Sequence, residues 1–192
     1  ISDCMTSPLH TERMARFKKA GLYLVTSQVL SRSRTTLDIL RSALDAGVGL
    51  VQLREKKLPI PKFFRLAEQA RRLTDEHNAL LIINDRLDIA LACNADGVHL
   101  GQDDLPIAAA RGIAEHLILG ASTHNKQEAI AAQQAGASYV NIGPLFPTNT
   151  KQWTSNFIGL DGIREIAPCV SIPFTVMGGI KLAHVPELLE AG

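Results

Sequence analysis

Short apolar runs alternate with longer amphipathic stretches along almost the whole chain. Seven runs, at residues 21–27, 49–54, 79–85, 97–101, 117–122, 139–143 and 173–179, are rich in Val, Ile and Leu and bounded by Gly, Pro or Asp. They lack the strict apolar–polar alternation of a half-solvated strand, so each predicts a parallel strand covered on both faces. Between them the apolar period lengthens to that of a helix. Residues 35–46 bring Leu37, Ile39, Leu40 and Leu44 to one side and stop at Gly47. Residues 61–77 open on Pro61 and carry Phe63, Phe64, Leu66, Ala67, Ala70 and Leu73, while residues 125–135 run from a capping Asn125 to Gly136. Ala-Gly recurs at Ala46-Gly47, Ala135-Gly136 and Ala191-Gly192, each time where a strand should follow. This alternation predicts a parallel α/β architecture with right-handed crossovers.

The strand starts lie about 25 residues apart, the pitch of a TIM (β/α)8 barrel. Seven units fit between residues 21 and 192, so the expectation is one barrel domain over 21–192 with seven of eight units present. The eighth strand is then missing from the chain as given. Residues 1–20 read as an N-terminal extension with a short helix over 11–20.

Composition narrows the function classes. The chain has 192 residues, 46% of them apolar, enough for one sizeable core. Twenty basic against 19 acidic residues leave a net charge of +1, and aromatics make up only 5%. Neither a phosphate-backbone reader nor a base-stacking surface is expected, so nucleic acid is not a partner. No apolar run is long enough to cross a membrane, and the N-terminus lacks the pattern of a secretory signal. Cys4, Cys93 and Cys169 are odd in number and form no cluster, which reads as buried or idle thiols in a reducing, cytoplasmic setting.

The candidate chemistry is positional. The C-terminal ends of the strands turn polar: Thr26-Ser27, Gln52 and Arg54, Asn84-Asp85-Arg86, His99 with Gln102 and Asp104, Ser122 and His124, and Gly178-Gly179. In a parallel barrel these ends share one rim, where such enzymes keep their active sites. The period of two puts Gln52 and Arg54 on one face, toward the mouth, and Val51 and Leu53 on the other, toward the helices. Arg54, Lys56 and Lys151 are cations suited to a pyrophosphate. Asp85 and Asp104 follow strands on the same rim and fit a shared hard cation such as Mg2+; each reads equally as the cap of a helix after it. The stretch 143–151 joins Thr148, Thr150 and Lys151 in a proline-stiffened loop that suits a phosphate, and Gly178-Gly179 occupies the usual phosphate position of such barrels. His99 is expected to line the barrel, and Ser122 and His124 to pair at the rim. His10, His77, His116 and His184 read as solvated, and Trp153 as a shield for the site or a plain surface residue. No Ser-His-Asp set and no nucleophile elbow is present.

Several motifs together resemble one family. Leu22-Tyr-Leu-Val-Thr26, Val51-Gln-Leu-Arg-Glu-Lys56, Ile83-Asn-Asp-Arg86, Asp96-Gly-Val-His-Leu-Gly-Gln-Asp-Asp-Leu-Pro106, Gly143-Pro-Leu-Phe-Pro-Thr-Asn-Thr-Lys151 and Gly178-Gly-Ile180 are similar, in order and spacing, to thiamine phosphate synthases (thiamine phosphate pyrophosphorylases) of the thiamine synthase and thiazole tautomerase superfamily. The resemblance implies an Mg2+-dependent transferase. It would join 4-amino-5-hydroxymethyl-2-methylpyrimidine diphosphate to 4-methyl-5-(2-phosphoethyl)thiazole, giving thiamine phosphate and pyrophosphate. By resemblance, Gln52, Arg54, Lys56 and Asn84 hold the diphosphate and pyrimidine, Asp85 and Asp104 ligate Mg2+, and Ser122 and Lys151 contact the departing pyrophosphate. Thr148, Thr150 and Gly179 would receive the thiazole phosphate. Arg54, Ser122 and Lys151 are the catalytic candidates of that set, and a homodimer is implied as well. Ser27 departs from the acidic residue frequent there, and residues 152–157 replace a proline-rich run. The competing readings are a thiazole tautomerase-like isomerase, with His124 as proton shuttle, and a non-catalytic thiamine-precursor binder.

Overall fold

The computed structural model describes residues 7–147 and 157–191. Each predicted apolar run forms a strand: β1 Tyr23–Val25, β2 Leu50–Leu53, β3 Leu80–Asn84, β4 Gly97–Leu100, β5 Ile118–Thr123, β6 Tyr139–Ile142 and β7 Phe174–Val176. Among the described residues they form one parallel sheet in the order β1 to β7, each strand paired with the next in sequence. This is a nearly closed (β/α) barrel of TIM type without its eighth unit, with β1 and β7 as its two edges. Their residues are half-buried, whereas every residue of β2, β3, β4 and β6 is buried.

Helices fill the crossovers: α1 Pro8–Phe17, α2 Thr36–Asp45, α3 Ile60–Glu76, α4 Leu87–Ala92, α5 Ile107–Ile113, α6 Lys126–Gln134, α7 Gly159–Ile166 and α8 Val185–Glu190. Local chemistry sets their ends. Thr35 accepts from the Asp38 N–H, and the Asp38 carboxylate takes the Thr35 N–H in return, a capping box that starts α2. Asn125 caps α6 through the Glu128 N–H. Gly47 and Gly136, at φ +89° and +92°, turn the chain back toward the sheet after α2 and α6.

Strand parity divides the core. Val51, Leu53, Leu81, Ile83, Val98, Leu100 and Leu119 face outward and pack on the helices, including Leu40, Leu44, Phe63 and Ala67. The inward set has two layers. Leu50, Leu80, Ile82, Ile118 and Tyr139 fill the lower barrel around Phe17, the last residue of α1. Gln52, Asn84, His99 and Asn141 are buried above them, toward the strand C-terminal ends.

The helix α1 closes the N-terminal mouth of the barrel. Arg13 donates through Nε to Asp96 Oδ1 at 3.1 Å and through its terminal nitrogens to the carbonyls of His116 and Ala95. His10 Nε2 lies 2.9 Å from Ser138 Oγ, and Arg16 donates to the Asn78 carbonyl. The predicted short helix near the N-terminus therefore starts earlier than residue 11 and plugs the barrel floor.

Candidate active site

The polar strand ends converge on the C-terminal rim. Gln52 is buried on the inner face and Val51 and Leu53 on the helix side, as the alternation predicts. Arg54 follows β2; its backbone N–H donates to Thr26 Oγ1 at 2.9 Å, so Thr26 joins the ends of β1 and β2. A cavity of about 170 Å³ opens between the loops after β2 and β3, lined by Lys56, Phe63, Asn84 and Asp85 among others.

Charge concentrates there. Lys56 Nζ stands 3.0 Å from Asp85 Oδ2. Asp85 adopts φ +63°, a left-handed conformation that Asp tolerates better than most residues, and the chain turns sharply out of β3 there. Asp104 accepts the Gly101 N–H at 2.7 Å. Burial, and the Asp85 carboxylate beside it, raise the Asp104 carboxyl above the usual carboxylate range. Neither Asp caps a helix: the N-cap positions of α4 and α5 are Arg86 and Pro106, neither with a side-chain cap, so the capping alternative does not hold. Arg86 is occupied by Asp88.

Beneath the rim lies a hydrogen-bonded chain that crosses the barrel. Gln52 Nε2 donates to Tyr23 Oη at 2.8 Å, and Tyr23 Oη meets Tyr139 Oη at 2.8 Å. Tyr139 Oη lies 2.9 Å from His99 Nδ1, and His99 Nε2 lies 2.9 Å from Ser122 Oγ. His99 on β4 and Tyr139 on β6 are not on neighbouring strands. They meet because their common register partner on β5 is Gly120, where an added Cβ would overlap the Tyr139 ring. Sequence reasoning placed His99 in the barrel but missed both tyrosines. Their signal was the period of two, which puts Tyr23 and Tyr139 on the inward face.

Burial drives the His99 imidazole down to about 4, so the ring is neutral near pH 7. The sign of the resulting pH effect is fixed. In the unfolded chain the same ring titrates near 6.5. Above that pH both states are neutral and this group contributes no slope. Between about 6.5 and 4 the unfolded chain takes the proton first and stability falls, by roughly 3 kcal/mol in all. Below about 4 the loss levels off. Urea unfolding across this range should show that excess loss in the wild type and not in His99→Asn.

One expectation changes. Ser122 pairs with His99, not with His124: β5 ends at Thr123, and Glu128 in the first turn of α6 takes His124 at 2.8 Å. Gly178 and Gly179 have positive φ because the Gly143–Pro147 backbone packs directly on them; a Cβ on Gly179 would stand 2.5 Å from the Phe146 and Pro147 carbonyl oxygens. That close approach is one reason for the bare backbone. His10, His116 and His184 are half-buried, and only His77 of the four expected to be solvated is exposed. Thr148, Thr150, Lys151, Trp153 and Cys4 lie outside the described residues; Cys93 and Cys169 are free thiols.

Asp85 and Asp104 are the residues on this rim that could hold a metal. Among the described residues no group of three or more His, Cys, Asp or Glu gathers around one point. A site built on the two carboxylates Asp85 and Asp104 suits a cation that takes its remaining ligands from phosphate and water. Lys56 on Asp85 shows that positive charge is favoured at this position.

Comparisons with known proteins agree with the barrel fold. A sequence model described as thiamine monophosphate synthase matches residues 22–192. The thiamine-phosphate synthase of Methanospirillum hungatei is 42% identical over 173 residues, 90% of this chain and 84% of that protein. That of Chloroflexus aurantiacus is 44% identical over 171 residues, 89% of this chain and 79% of that protein. Among solved structures, thiamine phosphate pyrophosphorylase from Pyrococcus furiosus has a TM-score of 0.83 at 38% identity, covering 93% of this chain and 84% of that one. Among the described residues no helix is long and apolar enough to cross a membrane.

Proposed function

This chain belongs to the thiamine monophosphate synthase family, and we propose that it joins 4-amino-5-hydroxymethyl-2-methylpyrimidine diphosphate to 4-methyl-5-(2-phosphoethyl)thiazole, releasing pyrophosphate. The observation that most supports this reading is the pair of carboxylates, Asp85 and Asp104, set beside Lys56 at the strand ends. A diphosphate needs such a grouping of hard oxygen ligands and fixed cations.

The reaction is a dissociative substitution. The bond between the pyrimidine methylene carbon and the diphosphate oxygen breaks first, leaving a pyrimidine-stabilised cation. The thiazole nitrogen then donates its electron pair to that carbon. Negative charge grows on the leaving diphosphate, so groups that meet it there stabilise the transition state more than the ground state. Arg54 and Lys56 supply fixed positive charge, Lys56 exchanging its contact with Asp85 for one with the diphosphate. Ser122 donates a hydrogen bond to the departing group, and Asn84, buried at the end of β3, orients the pyrimidine with Gln52. Lys151, Thr148, Thr150 and Gly179 take the parts that the family resemblance gives them. Mg2+, held by Asp85 and Asp104, would supply charge neutralisation on the diphosphate oxygens. No residue has to remove a proton to start the reaction, which accounts for a site without a dedicated general base.

Titration calorimetry with inorganic pyrophosphate tests the site. Binding should require Mg2+, and Arg54→Ala should weaken it by roughly 10- to 100-fold, the range for a lost hydrogen bond to a charged group. Equal binding with and without Mg2+, or unchanged affinity in Arg54→Ala, would refute the reading.

A further inference from the structure

We infer that the interior chain Gln52–Tyr23–Tyr139–His99–Ser122 has a fixed direction, and that Tyr23, Tyr139 and His99 are positioning residues that turn the Ser122 hydroxyl into an obligatory donor toward the diphosphate. The last clause rests on the proposed function; the direction of the chain does not.

The direction follows from counting protons. The Gln52 Nε2 amide carries hydrogens and no lone pair for bonding, so at its 2.8 Å contact Tyr23 Oη accepts. The Tyr23 proton must then go elsewhere, and the oxygen 2.8 Å away is that of Tyr139. Tyr139 accepts there and donates its own proton to the atom 2.9 Å away, His99 Nδ1, which must be the bare nitrogen. A neutral imidazole with a bare Nδ1 carries its proton on Nε2, so His99 donates to Ser122 Oγ. One proton remains, that of Ser122, and it points away from the ring that already fills one of the oxygen's lone pairs.

Run in reverse, the chain fails at its far end. Ser122 would donate to His99, His99 to Tyr139 and Tyr139 to Tyr23; Tyr23 Oη would then accept from both Tyr139 and Gln52, and its own proton would have no acceptor among the described residues. Tyr23 is half-buried, but its oxygen lies between the fully buried Tyr139 and the nearly buried Gln52, which leaves little room for water to take that proton. Packing holds the geometry as well: the Phe17 ring stacks on Tyr139 with centroids 4.6 Å apart, and Gly120 opens the gap through which His99 and Tyr139 meet. The amide of one rim residue thereby sets the hydrogen-bonding role of another across the barrel.

Two measurements on the full chain test this. In the unliganded wild type, nitrogen-15 spectra of labelled histidine should show His99 protonated at Nε2 and bare at Nδ1; protonation at Nδ1 would overturn the proposal without any substitution. A double-mutant cycle follows, read by affinity for inorganic pyrophosphate with Mg2+. Ser122→Ala should cost about tenfold or more in the wild type and close to nothing in a His99→Leu background, where Ser122 has lost its donor and its direction. The same cost in both backgrounds would overturn the proposal. If wild-type chain bound no pyrophosphate at all, the proposed function would fall, and the nitrogen-15 result would still decide the direction of the chain.

Discussion

Replacing Asp104 with alanine should lower Mg2+-dependent turnover by roughly 1000-fold while the barrel stays folded. The reason for the size is electrostatic. On the proposed function Asp104 and Asp85 together hold a divalent cation at this rim, and burial, then the neighbouring Asp85 carboxylate, raise the Asp104 carboxyl. With one of them gone, neutralisation of the leaving diphosphate weakens by several kcal/mol, and each ~1.4 kcal/mol is a tenfold change in rate. The structural cost is small. Asp104 is half-buried in a loop, and the hydrogen bond its carboxylate accepts from the Gly101 N–H contributes about 1–2 kcal/mol. Pyrophosphate release and thermal unfolding, measured on the same preparation, check both halves. Turnover within tenfold of wild type would remove Asp104 from the metal site.

The second large effect lies at the opposite end of the barrel. Asp96→Asn should destabilise the fold by about 3–5 kcal/mol, the usual cost of removing one partner of a buried ion pair. Asp96 is 6% exposed and sits just before β4. Its carboxylate accepts from Arg13 Nε at 3.1 Å, from Arg71 Nη1 at 2.6 Å and from the Leu81 N–H at 2.9 Å. Asparagine keeps the shape and removes the charge, leaving two guanidinium groups facing each other across a dry site. Because Arg13 belongs to α1, the plug on the barrel floor should loosen first. Urea unfolding measures the loss, and pyrophosphate affinity under folding conditions should hardly change. A loss below 1 kcal/mol would mean that the cluster is solvated enough to dispense with its carboxylate.

What the sequence revealed and what it hid follow from how far apart the interacting residues lie. The strands and the inward face of Gln52 were legible because both depend on a local period. The left-handed turns at Gly47 and Gly136 were legible for the same reason. The Asp96 cluster was not: its arginines come from α1 and α3, 83 and 25 residues away, and no local pattern links them. The Tyr23–Tyr139 contact spans 116 residues, and both tyrosines sit in runs that read simply as apolar strand. Ser122 and His124 misled because i, i+2 spacing is a same-face pattern only while the strand lasts, and β5 ends between them. The glycine pair at 178–179 was legible only in part: a residue without a side chain marks a close approach, but not what makes it. The backbone of residues 144–147 makes one such approach.

The central claim is that this rim couples diphosphate departure to bond formation with the thiazole. The most direct measurement is the simultaneous assay of pyrophosphate and thiamine phosphate when both substrates are mixed with the chain. The account predicts that the two products appear one for one, only when both substrates and Mg2+ are present. Thiamine phosphate formed at the same rate without Mg2+, or no thiamine phosphate from a folded chain that binds both substrates, would contradict it.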